Sequence, residues 1–265
     1  MKVLIKLGGT LLEDEAGRSA IAGQLAAVAR NHELVVVHGG GKQVTRVLEE
    51  QGTASRFVNG LRVSDRAVID AVTKVIAGEV NKRLVSALLA AGVTAMGLSG
   101  VDGRLTTVVQ LNFELGFVGK PIGTDGALLR LLGNAGYVPV VACIAADSQG
   151  TIYNVNADEM AVSCAIGWRA DRLIFLTDVP GVKNDGDQVI SALTRKGISE
   201  LIQSGRAHGG MRAKLEAAMG ALDQGLDEIT IAPGHETDVC VRLLAGELLG
   251  TRLQSDREPA RSVPG

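Results

Sequence analysis

The chain has 265 residues, 46% hydrophobic and only 3% aromatic, with 34 glycines and a formal net charge of −2. That length can bury a full core, and an aliphatic, glycine-rich composition suits an α/β protein with many tight strand-to-helix turns. The near-neutral charge offers no basic field to a nucleic acid or an anionic membrane, and the longest apolar run, 138–146, contains Pro139 and is too short to span a bilayer. A small-molecule partner and a cytoplasmic location are therefore expected. Cys143, Cys164 and Cys240 are widely spaced, with no C-x-x-C and no histidine at zinc-ligand distance, which predicts reduced core thiols and no metal site of the chain's own.

Residues 1–10 read as an apolar strand, Val3-Leu4-Ile5, ending in Lys6 and opening into Gly8-Gly9. Both faces of a parallel strand are buried, so a lysine at its carboxyl end either snorkels past the sheet edge or reaches the ligand crevice there. Helical spacing over 20–29 and the strand Leu34-Val35-Val36-Val37 complete a βαβ unit that runs into His38-Gly39-Gly40-Gly41-Lys42. Val44, Val47 and Leu48 start a helix directly after those glycines, where free N–H groups and the helix dipole favour an anion. The string fails as a P-loop, because the spacing is wrong and Gln43 offers no hydroxyl to magnesium; no G-x-G-x-x-G follows either strand.

Asn59-Gly60 fits a two-residue type I′ turn, so 57–63 predicts a hairpin that carries Arg62 on a stiff ribbon. Arg62 is then either a solvated surface arginine or a pre-organised fork for a carboxylate. Ser64 or Asp65 caps a helix to about residue 90, whose stripe of Val68, Val72, Val75, Ile76, Val80, Leu84 and Leu88 is widened by Ile69, Val85 and Leu89. Such a helix either lies in the core or meets a second subunit. A strand over 93–98, a hairpin turn at Asp102-Gly103 and a hairpin-bearing lid to residue 123 follow, then a helix over 126–132 and a strand over 137–142. A hairpin turning near Gln149-Gly150 leads to Asn154-Val155-Asn156-Ala157-Asp158-Glu159, where Asn156 can cap a helix, Glu159 close a capping box and Asp158 sit in the first turn.

A composition shift near Ala170 marks the boundary between an N-terminal lobe, 1–170, and a C-terminal lobe, 171–253. The second lobe opens with a strand over 173–176 that ends in Thr177-Asp178-Val179-Pro180-Gly181-Val182. Asp185-Gly186 turns a hairpin, and a short helix over 198–202 comes next. His208-Gly209-Gly210-Met211-Arg212-Ala213-Lys214 then opens a helix through Leu222. Two cations in its first turns oppose the dipole, a conflict that an anionic ligand relieves. A strand over 228–232 and a helix over 239–244 precede a polar tail, 254–265, that is expected to be disordered.

Two glycine loops after strands, a lysine near each end of the chain, a helix-start aspartate and a hairpin arginine describe a site for a polyanion and a carboxylate. Taken together, Lys6-Leu7-Gly8-Gly9, His38-Gly39-Gly40-Gly41, Asn59-Gly60-Leu61-Arg62-Val63, Asn154-Val155-Asn156-Ala157-Asp158 and Gly210-Met211-x-x-Lys214 resemble the acetylglutamate kinases, the arginine-pathway branch of the amino acid kinase family. The resemblance implies a three-layer αβα fold with a mostly parallel central sheet, two lobes and β-hairpin lids. It also implies transfer of the ATP γ-phosphoryl to the side-chain carboxylate of N-acetyl-L-glutamate, giving N-acetyl-L-glutamyl 5-phosphate, with Mg2+ bound to the nucleotide. A carboxylate acceptor is already deprotonated at neutral pH, so no general base is required.

By the same resemblance Lys6 and Lys214 flank the transferring group and Asp158 holds both lysines. Gly8, Gly9 and Gly41 donate backbone N–H groups to the phosphates. Gly40, Gly41, Arg62 and Asn154 bind acetylglutamate. Asp178, Val179, Pro180, Gly181, Val182, Lys183, Arg206, Ala207 and His208 line the nucleotide pocket. The rival readings are a kinase of carrier-protein-linked aminoadipate or glutamate in lysine or ornithine biosynthesis, and a non-catalytic sensor on the same fold. Hexameric, arginine-inhibited members of the resembling family carry an extra helix before the first strand. Here Met1-Lys2 leads straight into Val3, so a homodimer insensitive to arginine is expected.

Overall fold

The computed structural model describes residues 1–226 and 228–255. β1 (Lys2–Leu7) is buried from Val3 onward, as an aliphatic run without alternation requires of a central parallel strand. A 3₁₀ turn, Gly9–Leu12, leads into α1 (Glu15–Ala29), which the Asp14 carboxylate caps through the Gly17 amide at 2.7 Å. β2 (Glu33–His38) and α2 (Gly41–Glu50) are separated only by Gly39 and Gly40. β3 (Phe57–Val58) and β4 (Leu61–Arg62) make the expected hairpin, with Asn59 at φ 50° and Gly60 at φ 80°, the two positive values of a type I′ turn.

The helix expected to residue 90 is one rod in three pieces: α3 (Arg66–Val72), a π-helical stretch over Thr73–Val80, and α4 (Asn81–Ala90). Asp65 caps it by accepting from the Val68 amide at 2.9 Å. The predicted stripe is buried from Val68 to Leu88, whereas Leu89 is exposed. β5 (Ala95–Ser99) follows. The Asp102-Gly103 hairpin is not formed: a 3₁₀ turn there takes the chain out of the main sheet into β6 (Thr106–Gln110), because Gly103 and Arg104 both adopt positive φ. β7 (Val118–Thr124), α5 (Ala127–Asn134), β8 (Val138–Ala142), β9 (Ile144–Ala146) and β10 (Ile152–Val155) come next. The expected lid is thus part of a small closed barrel in which β6 pairs with β7 and β9, and β10 with β7 and β9.

α6 (Ala157–Trp168) begins at Asn156, whose side chain accepts from the amides of Asp158 and Glu159 at 2.8 and 3.3 Å. β11 (Arg172–Thr177), β12 (Ala192–Thr194), α7 (Arg195–Gln203), α8 (Gly209–Asp223), β13 (Glu228–Pro233), α9 (Val239–Leu244) and β14 (Thr251–Gln254) complete the chain. The short strands β12 and β14 carry no sequence signal of their own. Gln254, expected to start the tail, instead pairs with Glu228, and 256–265 of that tail lie outside the described residues.

Eight strands form the central sheet in the order β12-β14-β13-β11-β1-β2-β8-β5, with β13–β14 the one antiparallel pair. Helices α1, α4 and α9 pack together on one face, and α5, α6, α7 and α8 form the opposite layer. The sheet does not break near residue 170: β1 and β11 pair in parallel, Lys6 opposite Phe175, and one hydrophobic core runs through both halves. From β1 the chain steps to β2 on one side, while β11 leads away on the other. The carboxyl ends of β1 and β11 therefore flank a topological switch point, where an open α/β sheet leaves a crevice for ligand. Cys143, Cys164 and Cys240 are buried and unpaired, and burial pushes each thiol up to about 12, so they pack as small apolar groups.

Candidate active site

Lys6 lies one residue before the end of β1, Asp158 in the first turn of α6 and Lys214 near the start of α8. The fold brings all three together at the switch point. Lys6 Nζ stands 2.7 Å from Asp158 Oδ1, and Lys214 Nζ donates to Asp158 Oδ2 at 3.3 Å; none of the three side chains is more than 15% exposed. Burial alone would raise the Asp158 carboxyl, but the two ammonium groups outweigh it and hold the group below the ordinary carboxylate range. One carboxylate therefore serves two buried cations and leaves a positive charge uncompensated. Asp158 and Lys214 stand in the first two turns of α6 and α8, so the N-terminal dipoles of these helices add potential of the same sign.

The two glycine loops are neighbours. A Cβ placed on Gly9 would lie 3.6 Å from the Gly41 nitrogen and 3.7 Å from Gly40 Cα, and Gln43 ties the loops by donating from Nε2 to the Gly9 carbonyl at 3.2 Å. Gly41 opens α2, whose first amides have no acceptor within the helix and no side-chain cap at Gly40. Gly8 departs from the expected role: its N–H donates to the Leu176 carbonyl at 2.9 Å, continuing the β1–β11 ladder, so it is not free for a phosphate.

Arg62 is buried rather than solvated, at 7% exposure. Its guanidinium donates to Ser55 Oγ at 2.6 Å and to the Gly41 carbonyl and Thr45 Oγ1, both at 2.8 Å, and lies over the Phe57 ring. Among the described residues no carboxylate is within ion-pair reach of it. Burial lowers its pKa, the mark of a cation held without a counter-ion. Asn154 stands nearby, its Nδ2 donating to Ser64 Oγ at 3.4 Å.

His38 has no solvent contact. Its Nδ1 lies 2.8 Å from the Gly39 carbonyl, and its Nε2 lies 2.9 Å from Asn81 Nδ2. Burial lowers its pKa to about 4, against the opposing Gly39 hydrogen bond and with help from Lys82. It is neutral and doubly bonded, so it supplies no base. The linkage has a definite sign: the unfolded chain binds a proton near 6.5 that the native state refuses until about 4. Stability should therefore fall by about 3 kcal/mol in the limit as pH drops across that window. Chemical denaturation between pH 7 and pH 4 should show a slope that His38→Asn flattens; an unchanged slope in the variant would refute the assignment.

The loop after β11 brings Asp178, Val179 and Pro180 to the mouth of the crevice, all three exposed. Gly181 and Val182 turn inward instead: the Val182 N–H donates to Thr251 Oγ1 at 2.8 Å, and a Cβ on Gly181 would meet that same oxygen at 2.8 Å. Ala207 is likewise buried, its N–H on the Leu201 carbonyl. The side chains of Val182 and Ala207 are therefore packed inside the protein rather than exposed at the mouth. Lys183 pairs with Asp187 at 2.7 Å, Arg206 pairs with Asp185 at 3.1 Å, and His208 occupies the N-cap of α8. A separate cleft of about 610 Å³ between β7, α6 and α8 runs beside the lysine cluster without containing it. Gln43, Asn81, Ser55 and Thr45 are the residues that sequence reasoning missed. Asn81 was visible as a polar residue just after Val80 in an apolar stripe; the others had no signal.

Residues 1–233 match the amino acid kinase family profile. The acetylglutamate kinase of Solibacter usitatus is 53% identical over 254 residues, 96% of this chain and 99% of that protein. The acetylglutamate kinase of Roseobacter denitrificans is 41% identical over 240 residues, 90% of this chain and 84% of the other. Among solved structures, smu.665 from Streptococcus mutans UA159 shares the fold with a TM-score of 0.82 at 24% identity, covering 96% of this chain and 98% of that one. A lysine pair on one buried aspartate, juxtaposed glycine loops at a sheet switch point, and likeness along nearly the whole length lead to one conclusion: the chain belongs to the amino acid kinase family.

Proposed function

We propose that the protein transfers the γ-phosphoryl group of ATP to the side-chain carboxylate of N-acetyl-L-glutamate in arginine biosynthesis, the activity named for its relatives at 41 to 53% identity. The observation that carries the chemistry is the pair of buried ammonium groups on Asp158 beside the paired glycine loops. Phosphoryl transfer spreads negative charge over the equatorial oxygens of the moving group. Two desolvated cations and the free amides at Gly9 and Gly41 oppose that charge without reorganising. The acceptor carboxylate brings its own lone pair, which agrees with a site whose one buried histidine is neutral and engaged. Mg2+ bound to the nucleotide would supply further positive charge at its phosphates, while the Asp158 carboxylate is engaged by the two lysines.

In this reading Arg62 takes the substrate's α-carboxylate as its missing counter-ion, with Gly40, Gly41 and Asn154 around it. The N-terminal half, 1–170, holds acetylglutamate. The C-terminal half, 171–253, holds ATP at Asp178, Val179, Pro180, Lys183, Arg206 and His208. The protein acts in the cytoplasm, a reading supported by its three unpaired buried thiols; among the described residues no helix is long and apolar enough to cross a membrane. Two copies pair along the rod and the outer strand: β5 ends the sheet with an unpaired edge that carries the exposed Met96, and the exposed Leu89 lies on α4, which packs against β5.

The decisive experiment traps acyl phosphate as hydroxamate in the presence of ATP and magnesium, with acetylglutamate, glutamate, aspartate, carbamate and acetylaminoadipate as acceptors. Product with acetylglutamate above the others supports the reading; preference for acetylaminoadipate, or no product with any acceptor, overturns it. Arg62→Lys should raise the acetylglutamate KM at least 10-fold and leave the ATP KM within about twofold, because lysine keeps the charge but loses the two-pronged fork. Steady-state kinetics with each substrate varied in turn checks this. An unchanged acetylglutamate KM would remove Arg62 from the carboxylate site.

A further inference from the structure

The Gly39-Gly40-Gly41 turn has no side chains with which to hold itself, and its geometry is supplied from below. His38 Nδ1 reaches the Gly39 carbonyl at 2.8 Å, and Asn81 Nδ2 reaches both His38 Nε2 and the Val140 carbonyl at 2.9 Å. Lys82 fixes which way the Asn81 amide points, because its ammonium donates to Asn81 Oδ1 at 3.0 Å and leaves the NH₂ group for the ring. With Nε2 compelled to accept, the ring proton sits on Nδ1 and is donated to Gly39. A trans peptide points its C=O and N–H in opposite directions, so tying down the Gly39 carbonyl aims the Gly40 N–H away from the ring.

The same rod touches the turn a second time. A Cβ on Gly40 would lie 3.2 Å from Val80 Cγ2 and 3.3 Å from Ile76 Cγ1, both in the π-helical stretch that ends just before Asn81. An α-helical path over Thr73–Val80 would turn Asn81 about a quarter turn off His38, since one fewer residue would be accommodated before it. The wider winding is therefore what allows Ile76, Val80 and Asn81 to meet the glycine turn at once.

We propose that Asn81 is a positioning residue for phosphoryl transfer: through the imidazole of His38 it fixes the orientation of the glycine turn that cradles the reacting groups. The inference rests on the reading of that turn as part of the phosphoryl and substrate cradle, and its chemistry acts through the ring tautomer alone. Removing a residue that orients a reacting group through another side chain costs 10- to 100-fold where it has been measured at metal sites, and a loss on the order of 10-fold is expected here.

The test has two parts. In the unsubstituted protein, ¹⁵N NMR of the imidazoles should show His38 as the Nδ1–H tautomer at pH 7; an Nε2–H tautomer overturns the proposal whatever the enzyme's activity. In kinetics, provided the unsubstituted protein makes acyl phosphate, Asn81→Ala should lower kcat about 10-fold with a smaller change in the acetylglutamate KM. In a His38→Asn background, where a side-chain amide can still donate to Gly39 but no Nε2 remains, Asn81→Ala should change kcat less than twofold. Equal losses in the two backgrounds, or a fall in melting temperature with unchanged kcat, would show a structural role only and overturn it. Absence of acyl phosphate from the unsubstituted protein would refute the functional reading, while the NMR result still decides the tautomer.

Discussion

Replacing Lys6 or Lys214 with alanine is expected to lower kcat roughly 10²–10³-fold each, with a much smaller rise in the acetylglutamate KM, by analogy with removal of one donor from an oxyanion hole. The two ammonium groups meet different oxygens of the same carboxylate, Oδ1 at 2.7 Å and Oδ2 at 3.3 Å, and arrive from different elements, β1 and α8. Each can therefore face the transferring group from its own side. Their charge matters most when the equatorial oxygens gain negative charge, so the loss belongs in kcat rather than in substrate binding. The two changes differ in stability. Lys6 is embedded in the central strand and its removal leaves Asp158 buried with one partner, whereas Lys214 is the more exposed of the pair. Lys6→Ala should melt lower than Lys214→Ala while losing activity similarly, which separates catalytic from structural damage. Near-normal turnover in either variant would place phosphoryl transfer elsewhere.

The parts of the fold that could be read from sequence are those where a short run carries its own physics. β1, β2 and the 41–50 helix follow from aliphatic runs and the glycines between them, and the Asn59-Gly60 hairpin from a dipeptide that readily accepts two positive φ values. Lys6 and Lys214 could be nominated because each breaks a local expectation, a cation in a buried strand and a cation at the wrong end of a dipole; Asp158 breaks none, since the dipole alone favours an acid at a helix start, and only the resemblance of its motif singles it out. What could not be read depends on partners far along the chain. The Gly8 amide is taken by Leu176, the Val182 amide by Thr251, and Arg62 is enclosed by Ser55, Thr45 and the Gly41 carbonyl. None of those pairings leaves a periodicity. The same holds for the Asp102-Gly103 turn: a glycine and a following residue at positive φ mark a change of direction, but tertiary packing decides whether the next strand returns to the same sheet or enters a second one. β12 and β14 are three and four residues long and depend on the sheet they join.

Asp158→Asn removes the charge on which both lysines depend while keeping the side chain's size, and its expected consequences are the most distinctive of any single change. Removing one partner from a buried ion pair costs about 3–5 kcal/mol, and here two cations would be left facing each other in a site that is nearly dry. The cheapest relief is for one lysine to give up its proton, since a neighbouring like charge and desolvation both favour the neutral amine. The variant should therefore lose kcat at least 10²-fold near neutral pH and regain part of it as pH falls and that lysine is protonated again. The unsubstituted enzyme should show no such dependence, because its aspartate is held below the ordinary carboxylate range and stays ionised; its contribution to stability disappears only as pH falls through that lowered value. An added anion should also rescue the fold. MgATP or sulfate should raise the melting temperature of the variant more than that of the unsubstituted protein, since the anion takes the place of the missing carboxylate charge. A variant whose activity is flat between pH 6 and 8, and whose melting temperature responds to anions no more than the unsubstituted protein's does, would mean that Asp158 is not what holds the two lysines at the site of phosphoryl transfer.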